Sequence, residues 1–153
     1  MGGWLLQEGA NEVSRNARRT DEGADCRGGQ VKRALLVEDH RLIRESLAVV
    51  LEEHTELKKT VQAGSLVEAR RIWGHLPSEV DLAIVDLDLP NGEGINLIEN
   101  LREAAPEIPV LALTASRDVE RRARALRAGA DEVLTLANSG EHIIDTAVRL
   151  VGG

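Results

Sequence analysis

In Leu82-Ala83-Ile84-Val85-Asp86-Leu87-Asp88-Leu89-Pro90 a four-residue apolar run stops on an acid, with a proline four residues beyond it. Ala34-Leu35-Leu36-Val37 closes in the same way on Glu38-Asp39. Short continuous apolar runs are the pattern of strands buried on both faces. Two such strands that both end in acids gather like charges if they lie side by side, and a cation at their carboxyl ends offsets that repulsion.

Outward from these runs, apolar segments alternate with amphipathic ones. Strands are expected at 34–37, about 59–63, 82–85, 109–113 and 132–135. Between and after them the helical period sets Ile43, Leu47 and Val50 on one face, then Leu66, Ala69 and Ile72, then Ile95, Ile98 and Leu101. Val119, Ala123 and Leu126 repeat the spacing, as do Ile143, Ala147 and Leu150. Asn138 with Glu141 reads as a capping box for the last helix, and Pro106 and Pro109 punctuate the loop into the fourth strand. The alternation predicts an α/β fold, a doubly wound five-stranded parallel sheet of (βα)5 order, with 82–85 and 110–113 in central positions. Ligands of such sheets sit outside the carboxyl ends of the strands, where strand order reverses, and Glu38, Asp39 and Asp86 fall there.

The 153 residues suit one domain, and an apolar content of 42% suffices for a core. With 19 basic against 26 acidic residues, the net charge of −7 argues against a general nucleic-acid-binding surface, and the absence of Phe and Tyr argues against base stacking. Specific protein partners and a bound cation remain open. Cys26 is the single cysteine, no apolar run approaches a membrane span and Met1 to Ala10 has no signal-peptide pattern, so a cytoplasmic location is expected. Residues 1–30, rich in Gly, Arg and acids without an apolar period, are expected to form a disordered N-terminal extension, leaving 31–153 as the domain. The change at Val31-Lys32-Arg33 suggests a translation start near Val31, which mass spectrometry of the native amino terminus tests.

An all-oxygen site built from Glu38, Asp39 and Asp86 without clustered His or Cys suits Mg2+ better than zinc. A carboxylate is also a nucleophile toward phosphorus, forming an aspartyl phosphate, and Thr114 at the end of the fourth strand is placed to hydrogen-bond a phosphoryl oxygen.

At this point the chain, over about residues 32–151, resembles the receiver domain of two-component response regulators. The likeness lies in Leu-Val-Glu-Asp-His at 36–40, Val-Asp-Leu-Asp-Leu-Pro-Asn-Gly-Glu-Gly at 85–94, Leu-Thr-Ala-Ser at 113–116 and Ala-Gly-Ala-Asp at 128–131. It implies a flavodoxin-like fold in which Asp86 accepts a phosphoryl group from the phosphohistidine of a histidine kinase or phosphotransfer protein. Glu38, Asp39 and Asp86 would hold Mg2+, with the backbone carbonyl of Asp88. Thr114 would follow the phosphoryl group and change a face between the fourth and fifth helices that meets an effector protein or a second copy. Pro90 and Gly94 would shape the loop after the nucleophile. Such a domain is a phosphorelay module and not an enzyme, beyond slow autophosphatase activity. The Glu38-Asp39-His40 start is most similar to receivers that precede a LuxR-type helix-turn-helix.

The family pattern places a lysine seven residues after Gly129, where this chain has Leu136, and an aromatic switch residue where it has Val133. The only lysines are Lys32, Lys58 and Lys59. Loss of a cation that stabilises developing phosphate charge costs about 3 kcal/mol of barrier in comparable sites. A receiver fold that acts as an interaction module without phosphorylation is therefore the alternative. A haloacid-dehalogenase-like phosphohydrolase, suggested by Asp86-Leu87-Asp88, would need an inward acid at 88, Thr or Val at 90 and a downstream lysine; Pro90 and the lysine-free second half disagree.

Each residue also has an ordinary reading. Asp39 would be a helix N-cap, Asp88 a solvent-facing loop side chain, Thr114 a strand terminus, and Gly92 and Gly94 turn glycines. Arg117, Arg121, Arg122, Arg124 and Arg127 would form a solvated helix face. His40, His54, His75 and His142 are too scattered for a metal cluster, and His40 reads as a surface residue beside the acids.

Overall fold

Each expected strand is present in the computed structural model, which describes residues 31–74, 79–90, 93–136 and 140–152, Glu93 by its backbone alone. The strands are β1 (Lys32–Val37), β2 (Leu57–Ala63), β3 (Leu82–Asp86), β4 (Val110–Thr114) and β5 (Glu132–Thr135). They alternate with α1 (Arg41–His54), α2 (Leu66–Trp73), α3 (Glu93–Ala104), α4 (Val119–Ala128) and α5 (Gly140–Gly152). The expected extension over 1–30, the Asn138 half of the capping box, Gly92 and His75 lie outside the described residues. Among the described residues no helix is long and apolar enough to cross a membrane.

All pairings are parallel, and the strand order is β2-β1-β3-β4-β5. This is the flavodoxin-like arrangement, with strand order reversing between β1 and β3. Strand side chains alternate between two cores. Leu35, Val37, Ala83, Val85, Val110, Ala112 and Val133 pack under α2, α3 and α4. Ala34, Leu36, Leu82, Ile84, Leu111, Leu113 and Leu134 pack under α1 and α5. Burial on both faces explains why these strands read as continuous apolar runs. The outer strand β2 is less covered, and Lys58 and Lys59 on it are exposed.

α2, α3 and α5 bury most of the face that their periodicity marks, whereas in α1 the marked Ile43, Leu47 and Val50 are half-buried beside the buried Ala48 and Leu51, and α4 departs furthest. Val119 is 78% and Leu126 42% exposed, whereas Ala125 is fully buried and packs with Ala128 against the sheet. Small residues let this helix approach closely, and the larger apolar positions turn outward. Its start is capped by Asp118, whose carboxylate accepts from the Glu120 amide at 3.0 Å. It ends on Gly129, whose φ of +126° suits glycine. The Gly129 carbonyl accepts from Arg102, which also reaches the carbonyls of Pro106 and Ile108 and the Asp131 carboxylate, tying α3 to the amino-terminal ends of β4 and β5.

Candidate functional site

Register brings the opening acids together. Val37 pairs with Val85, so Glu38 and Asp86 leave adjacent strands at the same level, beside the reversal of strand order. The chain beyond each strand stays tethered to its neighbour: the Glu38 amide donates to Ala63 and the Leu87 amide to Leu113, at 3.0 and 2.8 Å. Arg44 of α1 donates to the Glu38 carbonyl at 2.9 Å and fixes that turn.

Glu38 and Asp86 are each 3% exposed. Burial pushes the Asp86 carboxyl from its ordinary 3.8 up to about 7; the Asp88 amide, donating to its Oδ1 at 2.8 Å, pulls against this, and Glu38 adds to the rise. Glu38 is also raised, chiefly by burial, although Oε2 accepts from the His40 amide at 3.0 Å. Its Oε1 is buried with no hydrogen-bond donor. Two neighbouring buried carboxylates satisfy each other only when one carries a proton or a cation offsets their charge.

Asp39 is exposed beside this pair and is not a helix cap; His40 holds the N-cap position of α1 without a side-chain bond. One ligand atom each from Glu38, Asp39 and His40 lie within 4.8 Å of one another. The sequence places His40 as a surface residue beside the acids, and it is indeed exposed, but with a ring nitrogen within ligand distance of both carboxylates.

Asp88 corrects the expectation of a solvent-facing loop side chain. Its Oδ1 accepts from the Thr114 hydroxyl at 3.0 Å, and its Oδ2 from the Ala115 amide at 2.7 Å. Arg121 Nη2 lies 3.0 Å from Oδ1 and also donates to the Leu87 carbonyl. The α4 arginines are thus not uniformly solvated: Arg121 reaches the loop after β3, and Arg122 donates to the Val133 carbonyl at 2.6 Å. Thr114, buried at the end of β4, closes the same side of the pocket. Arg121 escaped the sequence reading because its partner comes from a distant loop, met only when α4 docks on the sheet.

Gly94 is not a turn glycine. It lies in the first turn of α3, and a Cβ there would stand 2.8 Å from Leu87 Cα and closer still to the Asp86 carbonyl. A hydrogen is the only side chain that lets α3 pack this near the end of β3. On the far side, the Leu136 amide donates to the Thr114 carbonyl at 2.7 Å, while its side chain packs with the α1 and α5 core.

Comparison with known proteins agrees with this arrangement. The family described as "Response regulator receiver domain" matches residues 34–147. The virulence transcriptional regulatory protein PhoP of Salmonella typhimurium is 36% identical over 107 residues, covering 67% of this chain and 44% of PhoP. The chain thus spans less than half the length of that relative. Among solved structures, a CheY-like receiver domain from Methanospirillum hungatei superposes with a TM-score of 0.71 at 24% identity, covering 80% of this chain and 95% of its own. A Burkholderia pseudomallei response regulator with a phosphorylated aspartic acid, calcium ion and citrate gives 0.66 at 28% identity, covering 74% of this chain and 64% of its own. With the matched span covering most of the fold and both ends of its acidic pocket, this chain belongs to the response regulator receiver domain family.

Proposed function

We propose that this domain is a phosphoacceptor of a two-component relay, with Asp86 as the residue that takes the phosphoryl group. The observation that carries the reading is the buried Glu38–Asp86 pair at the reversal of strand order, with Glu38 Oε1 lacking any donor. A divalent cation fits such an oxygen, and the set of Glu38, Asp39, Asp86 and the Asp88 carbonyl is chemically suited to Mg2+. His40 near Glu38 and Asp39 is compatible with water-mediated contact. Bound there, the cation would neutralise charge on the carboxylates and on the transferred group.

In the transfer itself, an Asp86 carboxylate oxygen forms a bond to phosphorus as the bond from phosphorus to the imidazole nitrogen of a kinase or phosphotransfer histidine breaks, and that nitrogen keeps the electron pair. Burial raises the Asp86 carboxyl, so loss of its proton is the first requirement for attack. Thr114 would then bond a phosphoryl oxygen and pull on β4. The exposed Val119 and Leu126 on α4 and Val148 on α5 support an output face there, toward an effector protein or a second copy. The reading places the domain in the cytoplasm as a signalling module, not an enzyme, and Glu38-Asp39-His40 supports kinship with LuxR-associated receivers.

The second reading, an interaction module that works without phosphorylation, is favoured by Leu136, whose apolar side chain is built into the core where the family pattern has a lysine. The phosphohydrolase alternative gains the inward Asp88 but still lacks the residue at 90 and the lysine it requires. Incubation with acetyl phosphate and Mg2+, followed by intact-mass measurement, tests the leading reading. A cation-dependent gain of one phosphoryl group that disappears in Asp86→Asn is expected; no gain in the wild-type protein overturns it.

A further inference from the structure

We infer that the Asp88 carboxylate occupies the phosphoryl-oxygen site of the resting domain, and that Arg121, which holds it there, is the cation that meets the incoming phosphoryl group. This rests on Asp86 being the phosphoacceptor.

A hydroxyl and a backbone amide each have one proton to donate. The Thr114 hydroxyl gives its proton to Asp88 Oδ1 and the Ala115 amide gives its own to Asp88 Oδ2. Thr114 Oγ1 in turn accepts from the Ser116 amide at 3.0 Å, which fixes the hydroxyl oxygen in this turn. Both donors stand just beyond Leu113, the β4 partner of Asp86, and are committed to an internal anion, so a phosphoryl group on Asp86 can bond to them only by displacing it. Asp88 is two residues from Asp86, and its own amide remains bound to Asp86 Oδ1, so the side chain can swing out while the backbone stays in place.

Arg121 makes the exchange favourable. Its guanidinium has five N–H donors in a planar fork, and one nitrogen already bonds Asp88 Oδ1 and the Leu87 carbonyl. It is anchored on α4, with its side chain 28% exposed, so it reaches the pocket from outside the sheet and not from a strand. When Asp88 leaves, the guanidinium faces the same two β4 donors and whatever anion they bind. The chain's lysines stand on β1 and β2 and take no part: Lys32 pairs with Glu56 and Lys58 with the Glu52 carbonyl.

The test is the rate of Asp86 phosphorylation by acetyl phosphate with Mg2+ in five proteins: wild type, Asp88→Ala, Arg121→Ala, and the Asp88→Ala background carrying Arg121→Ala or Arg121→Lys. Asp88→Ala is expected to label about tenfold faster than wild type, as one competing carboxylate is removed. Arg121→Ala placed in the Asp88→Ala background is expected to slow labelling at least tenfold, and Arg121→Lys in that background to recover most of the rate. Were Arg121 only a clamp on Asp88, its removal from a protein already lacking Asp88 would leave the rate unchanged, and that result overturns the cation role. Equal rates for wild type and Asp88→Ala overturn the internal-anion role. Asp88→Asn, which keeps the side-chain volume, serves where Asp88→Ala fails to fold, with the same expectation. If none of the proteins labels, the phosphoacceptor reading falls and this proposal falls with it, whereas label in wild type with no response to either substitution refutes this proposal alone.

Discussion

Glu38 and Asp86, one residue past the Val37–Val85 register pair, are both buried and both raised in pKa, and Glu38 Oε1 has no donor. Removing one charge from the pair relieves repulsion that the fold otherwise sustains. Asp86→Asn is therefore expected to raise stability in cation-free buffer by about 1–2 kcal/mol, measured by urea unfolding in EDTA at pH 8.

The same pair sets a pH dependence. An unfolded Asp86 titrates near 3.8 and the folded one near 7, so between these values the folded state holds the additional proton. Stability contributed by this group is highest at acid pH and declines as pH rises from about 4 to about 7. In EDTA, unfolding midpoints should fall between pH 5 and pH 8, and the slope should flatten in Asp86→Asn. An unaltered slope in that variant would rule out Asp86 as its source.

Mg2+ should reverse that penalty. At ten times its Kd a ligand that binds only the folded state stabilises by about 1.4 kcal/mol. Glu38→Gln is expected to lose most of this increment while folding normally, because it removes a charge beside Asp86 but keeps the side-chain volume. Thermal scans with and without 10-fold excess over Kd read the difference directly.

Gly94→Ala forces a methyl group into the backbone of Asp86 and Leu87. A cost of about 1–3 kcal/mol is expected, together with slower phosphorylation, since the helix cannot move without moving the end of β3. A variant of normal stability and normal labelling would show that α3 has room to shift.

Arg102→Ala is the complementary case. It removes bonds to three carbonyls and to Asp131 at the opposite edge of the sheet from the pocket. It should destabilise by about 2 kcal/mol and leave the labelling rate of the folded protein unchanged. Parallel unfolding and mass measurements separate the two effects.

The sheet was legible because strands buried on both faces must be apolar along their whole length, and the acids that end β1 and β3 then mark one edge. Register did the rest for Glu38 and Asp86. The buried face of α4 was not legible, since Ala125 and Ala128 compete poorly with Val119 and Leu126 in any hydrophobic period, yet only small residues fit against the strands there. Asp88 and Arg121 were hidden for a different reason. Which way a loop carboxylate turns depends on the donors around it, and those come from β4, beyond α3, and from α4, beyond both α3 and β4. Gly94 was seen as a residue of the right loop, but its purpose is a close approach between a helix and a strand end, which spacing alone does not reveal.

The exposed Lys58 and Lys59 on β2 bear on how copies of this domain keep apart. An open strand edge is a template for another chain, and lysines are among the side chains that block such pairing. Any strand added beside β2 would meet a lysine on each face of the sheet, so that edge resists growth of the sheet into a continuous ribbon. Lys58 and Lys59 thus guard one rim of the sheet, far from the pocket at which phosphate chemistry would call for a lysine.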